Sequence, residues 1–332
     1  MKLSILDQSP ISSNQTAKEA LEASVKLAQA GETFGYTRFW MAEHHDLPGL
    51  ACPAPEVMLS YIGFQTHHIR IGSGAVLLPH YKPYKVAEMF NLLATLFQGR
   101  IDLGIGRAPG GSAEATNVLN DHFLESVWKM PDLVKELLDF LDDEFKTDNA
   151  YAKLSASPIP VTSPTPWLLG TSKKSASLAA KNGMAYAFGQ FMSDENGEEI
   201  IRHYLDSFQP RKPSGRPHVI LTVSAICAET NEKANDLALS SLIWGLQKSK
   251  GEGGFVPSIH DVKRYSLSEL EKNELEKKKR NMIIGDPVEV KEKLQVLQTT
   301  YQAEEIMIVT ITFDPKEKIR SYELIAQGCI DK

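Results

Sequence analysis

Cysteine is scarce in this chain: Cys52, Cys227 and Cys329 are the only three in 332 residues, far apart and without a CxxC spacing. A disulfide framework and a structural zinc site of ordinary spacing are thereby excluded, and a reducing compartment is expected. Long hydrophobic runs are missing as well. Nowhere do about 18 apolar residues follow one another, the length a membrane-crossing helix requires. The opening MKLSILDQSP is broken by Asp7 and Gln8 before a signal-type apolar region can form. These absences predict a cytoplasmic protein with no membrane partner. The formal net charge of -6 is spread along the chain, so there is no basic face for a phosphate backbone and nucleic acid is not an expected partner. No fixed-period repeat or low-complexity tract suggests a solenoid or a disordered tail.

What remains is an ordinary globular composition, 23% charged and 42% hydrophobic, long enough for one large α/β domain or two smaller ones. Short aliphatic or β-branched runs recur, each followed by a segment of helical period. Strands are expected at residues 3–7, 37–42, 69–78, 101–105, 167–169, 185–188, 218–226 and 305–312. Most are almost continuously apolar, as parallel strands covered on both faces are. Helices are expected at residues 57–66, 86–97, 119–141, 172–182, 195–208, 232–247 and 288–301. They are preceded by one that Thr16 and Glu19 open as a capping box and that Gly31 or Gly35 can end. Eight strand-then-helix units predict an α/β fold, a closed (β/α)8 TIM barrel occupying residues 1–332 as one domain. Residues 146–166 and 249–286 exceed ordinary loop length and read as insertions after strands 4 and 7. The second holds KSKGEGG and ELEKKKR, and it reads either as a solvated helical surface or as a mobile flap over a site.

In such a barrel the strand ends carry the chemistry. Strand two ends in FWMAEHHDLPG, an apolar run stopped by Glu43, His44, His45 and Asp46. Successive residues of a strand point to opposite sides, so the two histidines do not form a chelating pair, and without HExxH or a third ligand no metal site is expected. An acid/base histidine and a hydrogen-bonded corner both remain open. Strand four ends in GIGRAPGG, whose glycine spacing fails the dinucleotide fingerprint. Its small residues suit a planar ligand, and Arg107 offers a permanent cation to a phosphate, or else an ordinary surface ion pair. Strand five ends in LLGTSKKS. Gly170 allows close backbone approach, and Thr171, Ser172 and Ser175 supply hydroxyls beside a helix start that either binds an anion or is merely capped.

Together WMAEHH, IGSGAVLLPHYKPYKVAE, GRIDLGIGRAPGG, GTSKKSASLAAKNG and YQAEEIMIVT stand in an order and spacing that resembles the bacterial luciferase-like flavin monooxygenases, over nearly the whole chain. The resemblance implies a barrel that uses reduced FMN, delivered by a separate flavin reductase, and molecular oxygen to oxygenate a small-molecule substrate. His44 takes the place of the family's catalytic histidine, with Glu43 as a neighbour able to orient it. Gly74 and Ala75 fall where the family has a cis non-prolyl peptide beneath the flavin. Arg107, Ser172 and Ser175 fall at its FMN phosphate, with Gly170 and Thr171 adding contacts. A deazaflavin-dependent hydride-transfer relative, or a barrel that binds flavin without catalysis, are the other readings. The family also implies a homodimer, for which the apolar residues 86–97 supply surface. Gly106 stands where light-emitting members carry cysteine, which argues against bioluminescence. Substrate choice is assigned to the flap and to Trp128, Phe191 and neighbouring loops, for which simple core packing is the other reading.

Overall fold

The computed structural model describes residues 1–143, 151 and 153–330. Its strands are β1 (Leu3–Asp7), β2 (Arg38–Met41), β3 (Arg70–Ser73), β4 (Val76–Leu77), β5 (Ile101–Gly106), β6 (Thr165–Gly170), β7 (Ala185–Gly189), β8 (Val219–Cys227), β9 (Met282–Gly285) and β10 (Glu305–Val309). All pairings are parallel. They run β1-β2-β3-β5-β6-β7-β8, and β10 joins β8 to β1 with Glu305 opposite Ile220 and Leu3 opposite Ile306, which closes an eight-stranded barrel. β4 continues the line of β3 beside β5, and β9 pairs with the last residues of β8.

The helices are α1 (Ala17–Phe34), α2 (Pro55–Gln65), α3 (Pro83–Leu96), α4 (Ala113–Leu119), α5 (Phe123–Trp128), α6 (Met130–Asp142), α7 (Lys173–Lys181), α8 (Gly197–Ser207), α9 (Asn231–Ser249), α10 (Ile259–Lys263), α11 (Glu269–Arg280), α12 (Pro287–Thr300) and α13 (Pro315–Cys329). α1 begins with the expected Thr16–Glu19 capping box and ends at Gly35, whose φ of 87° is open to glycine at no steric cost. Gly31 does not end the helix. It lies buried within it, where a Cβ would stand 2.7 Å from Ile5 Cδ1.

Three expectations change. The run at 119–141 is not one helix but the end of α4 followed by α5 and α6: Asn120 leaves the helical path, and Pro131, which cannot donate a backbone hydrogen bond, sits in the first turn of α6. The run at 69–78 divides into β3 and β4 at a cis peptide between Gly74 and Ala75. The excursion after the seventh barrel strand starts at α9 rather than at residue 249. α9 is covered by α10 and α11, whereas α12 packs on β8, β10 and α13 as the ring helix does. Within this excursion α11 is the charged run, with only Leu275 buried and four basic residues in its last turn, where they complement the negative end of the helix dipole. The stretch at 146–166 lies partly outside the described residues; its described part is tied to α3 by Asn91, which donates to the Ala156 carbonyl at 2.7 Å.

The barrel interior is layered. At the N-terminal mouth Arg38 bridges Asp102 (2.7 Å) and Glu305 (2.7 Å), and Arg70 also reaches Asp102 (2.5 Å). Burial alone would raise the Asp102 carboxyl, but the two guanidinium groups hold it below the usual range. Above them Trp40 and Trp167 meet edge to face, 5.4 Å between centroids, in a cluster with Ile220 and Met307. Trp40 Nε1 donates to Asp102, tying the two layers. With its lower part filled, the barrel can open only at the C-terminal end.

Candidate active site

At that end lies a cavity of about 350 Å³ whose lining includes Glu43, His44, Gly74, Ala75, Arg107, Gly170, Thr171, Ser172 and Ser175. The nine residues that the sequence offered for catalysis and cofactor binding therefore share one cavity, whereas His45 and Asp46 do not line it.

The corner after β2 explains its four ionisable residues. Glu43 accepts hydrogen bonds from His45 Nε2 (2.8 Å), Tyr81 Oη (2.7 Å) and the Leu77 amide (3.1 Å). His45 is further fixed by its own amide, which donates to the Gly110 carbonyl at 2.9 Å. Asp46, with φ of 49°, accepts from Ser112 at 2.6 Å. Glu43 thus anchors its neighbours and, among the described residues, makes no hydrogen bond to His44: it holds the corner and does not contact the His44 imidazole that it was expected to orient. Of the two histidines only His44 lines the cavity, and its buried Nδ1 has no hydrogen-bond partner among the described residues. Burial first, then the charges of Lys248 and His45, depress its pKa to about 4. At neutral pH the imidazole is uncharged, a proton acceptor and not a donor of a positive proton.

Across the cavity β5 delivers Arg107. Its guanidinium is exposed and has no acidic partner among the described residues, so the surface ion-pair reading fails. Of the glycines before it, Gly104 serves the barrel: a Cβ there would sit 2.1 Å from the Ser73 carbonyl oxygen. Gly106, by contrast, lines the cavity. Next to Arg107 is the start of α7. Ser172 is its N-cap and forms a capping box with Ser175, and the Ser175 hydroxyl lies 3.0 Å from Tyr186 Oη. Burial raises the Tyr186 phenol to about 12 against the influence of Ser175 and Arg107. A Cβ on Gly170 would meet Ser175 Oγ at 2.3 Å, which is why the strand ends in glycine. Capping and ligand binding are therefore compatible, since the capping residues themselves face the cavity.

Gln8, Leu77, Phe191, Met192 and Thr222 also line the space. Thr222 gave little signal because a threonine inside a strand reads as an ordinary β former. Trp128 does not reach this cavity; it is 82% exposed and borders a neighbouring hollow that shares Arg107. Ser9 turns away to Ser24, 2.8 Å distant. The donors fit a flavin phosphate: a guanidinium with no carboxylate partner among the described residues, the hydroxyls of Thr171, Ser172 and Ser175, and the first amides of α7. The walls toward His44, made by Leu6, Ala42, Leu77 and Ala187, suit a flat apolar ring.

Comparison with known proteins agrees. Residues 1–303 match the family described as luciferase-like monooxygenase. The chain is 37% identical over 331 residues to the N-acetyl-S-alkylcysteine monooxygenase of Bacillus subtilis (strain 168), covering 99% of this chain and 98% of that one. It superposes on the crystal structure of apo-MsnO8 with a TM-score of 0.87 at 31% identity, over 98% of each chain. The fold also matches the oxygenating constituent of 3,6-diketocamphane monooxygenase of Pseudomonas putida, solved with FMN, at a TM-score of 0.69 and 19% identity, over 98% of this chain and 97% of that one. With barrel, strand-end cavity and near full-length similarity in accord, the chain belongs to the luciferase-like monooxygenases and is a flavin-dependent oxidoreductase.

Proposed function

We propose that this protein is an FMN-dependent monooxygenase that receives reduced FMN from a separate reductase and oxygenates a small organic molecule with molecular oxygen. The observation that carries this reading is the placement of His44 and Arg107 on one cavity, a neutral imidazole on one side and an unpaired cation beside a helix start on the other. Bound reduced FMN supplies two electrons, so that one oxygen atom enters the substrate and the other leaves as water. The protein's residues do the rest. Arg107, Thr171, Ser172 and Ser175, with the Gly170 backbone, hold the anionic tail; Gly74 and Ala75 support the ring; His44 accepts a proton from the reacting partners. Residues 249–286 move as a flap that excludes water during turnover.

The protein acts as a homodimer in this reading. Leu92 and Leu96 of α3 and Val57, Tyr61 and Phe64 of α2 are exposed, with Phe64 68% accessible, while Phe90 and Leu93 face the barrel. One helix pair thus has two apolar sides, and a second copy is the occupant that would cover the outer one.

The test is oxygen consumption with purified protein, a flavin reductase, NADH and FMN across a panel of small organic substrates. Substrate-dependent oxygen uptake, with tighter binding of reduced than of oxidised FMN, supports the proposal. Absence of FMN binding in either redox state overturns it.

A further inference from the structure

The ring of helices has a gap beside the phosphate side of the cavity. α6 packs on α3 and α7 packs on α8, and between α6 and α7 lies a second hollow of about 560 Å³. Its floor is Leu168 and Leu169 of β6, and one wall is the stretch where α5 passes into α6, with Val127 and Trp128. The other wall is a single stripe of α7: Lys174, Ser177, Leu178 and Lys181 are spaced by three, four and seven residues and share one helix face. From Lys174 to Lys181 that face runs roughly 10 Å, at about 1.5 Å per residue. The hollow adjoins the strand-end cavity, and Arg107, Leu169 and Ser175 line both. Three cations border it, Arg107, Lys174 and Lys181, and none of them meets a carboxylate among the described residues. Asp142, which shares the next hollow with Lys181, is taken by Arg211 and Lys212. At the rim the Trp128 indole is 82% exposed and stacks on no other ring among the described residues. Apolar walls, an unused aromatic face and positive charge without a counter-ion together suit a ligand that is both anionic and aromatic.

Resting on the flavin site proposed above, we propose that this hollow binds the adenylate half of FAD while the riboflavin half occupies the strand-end cavity. The phosphate next to the ribityl chain keeps the hydroxyls of Ser172 and Ser175. The second phosphate turns past Arg107, whose planar fork has donors enough for both, and meets Lys174. Ribose and adenine then run along the α7 stripe. The adenine lies on Trp128, and Lys181 donates to one of its ring nitrogens. FMN occupies the strand-end cavity alone and leaves the hollow to solvent. One chain thus accepts both flavins, and the dinucleotide gains the contacts of the second hollow.

The experiment is anaerobic calorimetric titration of reduced FMN, reduced FAD and 5′-ADP into wild type, Trp128→Ala and the double variant Lys174→Met with Lys181→Met. Wild type is expected to bind reduced FAD at least as tightly as reduced FMN, and 5′-ADP, which lacks the riboflavin half, more weakly than either. Each variant is expected to weaken FAD by about tenfold relative to FMN. Weaker binding of FAD than of FMN by wild type overturns the proposal. So does tighter binding of 5′-ADP than of FAD, which would mark a site for free nucleotides, or an FAD-to-FMN affinity ratio that either variant leaves unchanged. Wild type that binds neither reduced flavin refutes the flavin site itself and takes this inference with it.

Discussion

Glu43 grips His45 at 2.8 Å, and by doing so leaves His44 as the member of the pair that faces the cavity. The same carboxylate takes the Tyr81 hydroxyl and the Leu77 amide, so a strand end, the turn after β4 and a side chain leading into α3 share one acceptor. The histidine that carries the proposed chemistry is thus positioned by backbone, its amide donating to the Cys52 carbonyl at 3.0 Å, and by a neighbour that is itself pinned.

Glu43→Ala is expected to cost about 2 to 4 kcal/mol of stability, because it strands a half-buried hydroxyl and a buried amide without an acceptor. His44→Ala should cost clearly less, as its imidazole ring nitrogen Nδ1 has no hydrogen-bond partner among the described residues. Urea denaturation of the two variants checks the order; equal losses would contradict the division of labour between them.

The His44 pKa, lowered to about 4, makes a pH prediction with a definite sign. The folded state binds a proton at His44 less readily than the unfolded chain does. The stability it contributes is present above the unfolded histidine value of about 6.5 and is lost as pH falls toward 4. Wild type should therefore lose stability faster than His44→Gln between pH 6.5 and pH 4, while the two run parallel above pH 7. Thermal melts across this range, with the variant as reference, measure the difference.

At the closed end of the barrel, Arg38→Met would leave Glu305 buried without a guanidinium and Asp102 with Arg70 alone. The expected loss is about 3 to 5 kcal/mol, the usual result of removing one partner from a buried ionic group. A double change of Arg38 and Glu305 to apolar residues should recover part of it, and denaturant midpoints decide.

The exposed face on α2 and α3 predicts that Phe64→Glu converts a dimer to a monomer in sedimentation, with flavin affinity intact. A wild-type protein that sediments as a monomer at micromolar concentration would contradict the dimer.

Much of this arrangement was legible from the order of residues. β1, β5 and β7 are short apolar runs ended by glycine or a polar residue, and buried parallel strands require that pattern. The phosphate-side residues were legible because Gly170 and the Ser172–Ser175 pair have local reasons to be there, close approach and capping, which leave marks in sequence. What escaped depends on distant contacts. α9 reads as a barrel helix because α10 and α11 cover it, giving it the broad apolar surface of a ring helix. β9 is four residues long and exists by pairing with the tail of β8. The partner choice of Glu43 was likewise invisible, since Tyr81 and Leu77 lie 38 and 34 residues away in the chain.

The most direct measurement is an anaerobic titration of reduced FMN into wild type, Arg107→Ala and His44→Gln, followed by oxygen-dependent turnover of each. Loss of a charge-assisted contact to the phosphate should weaken Arg107→Ala by about 10- to 100-fold. His44→Gln should bind reduced FMN as wild type does and turn over much more slowly. Unchanged affinity in Arg107→Ala, or unchanged turnover in His44→Gln, would contradict the claim that these two residues serve one flavin site.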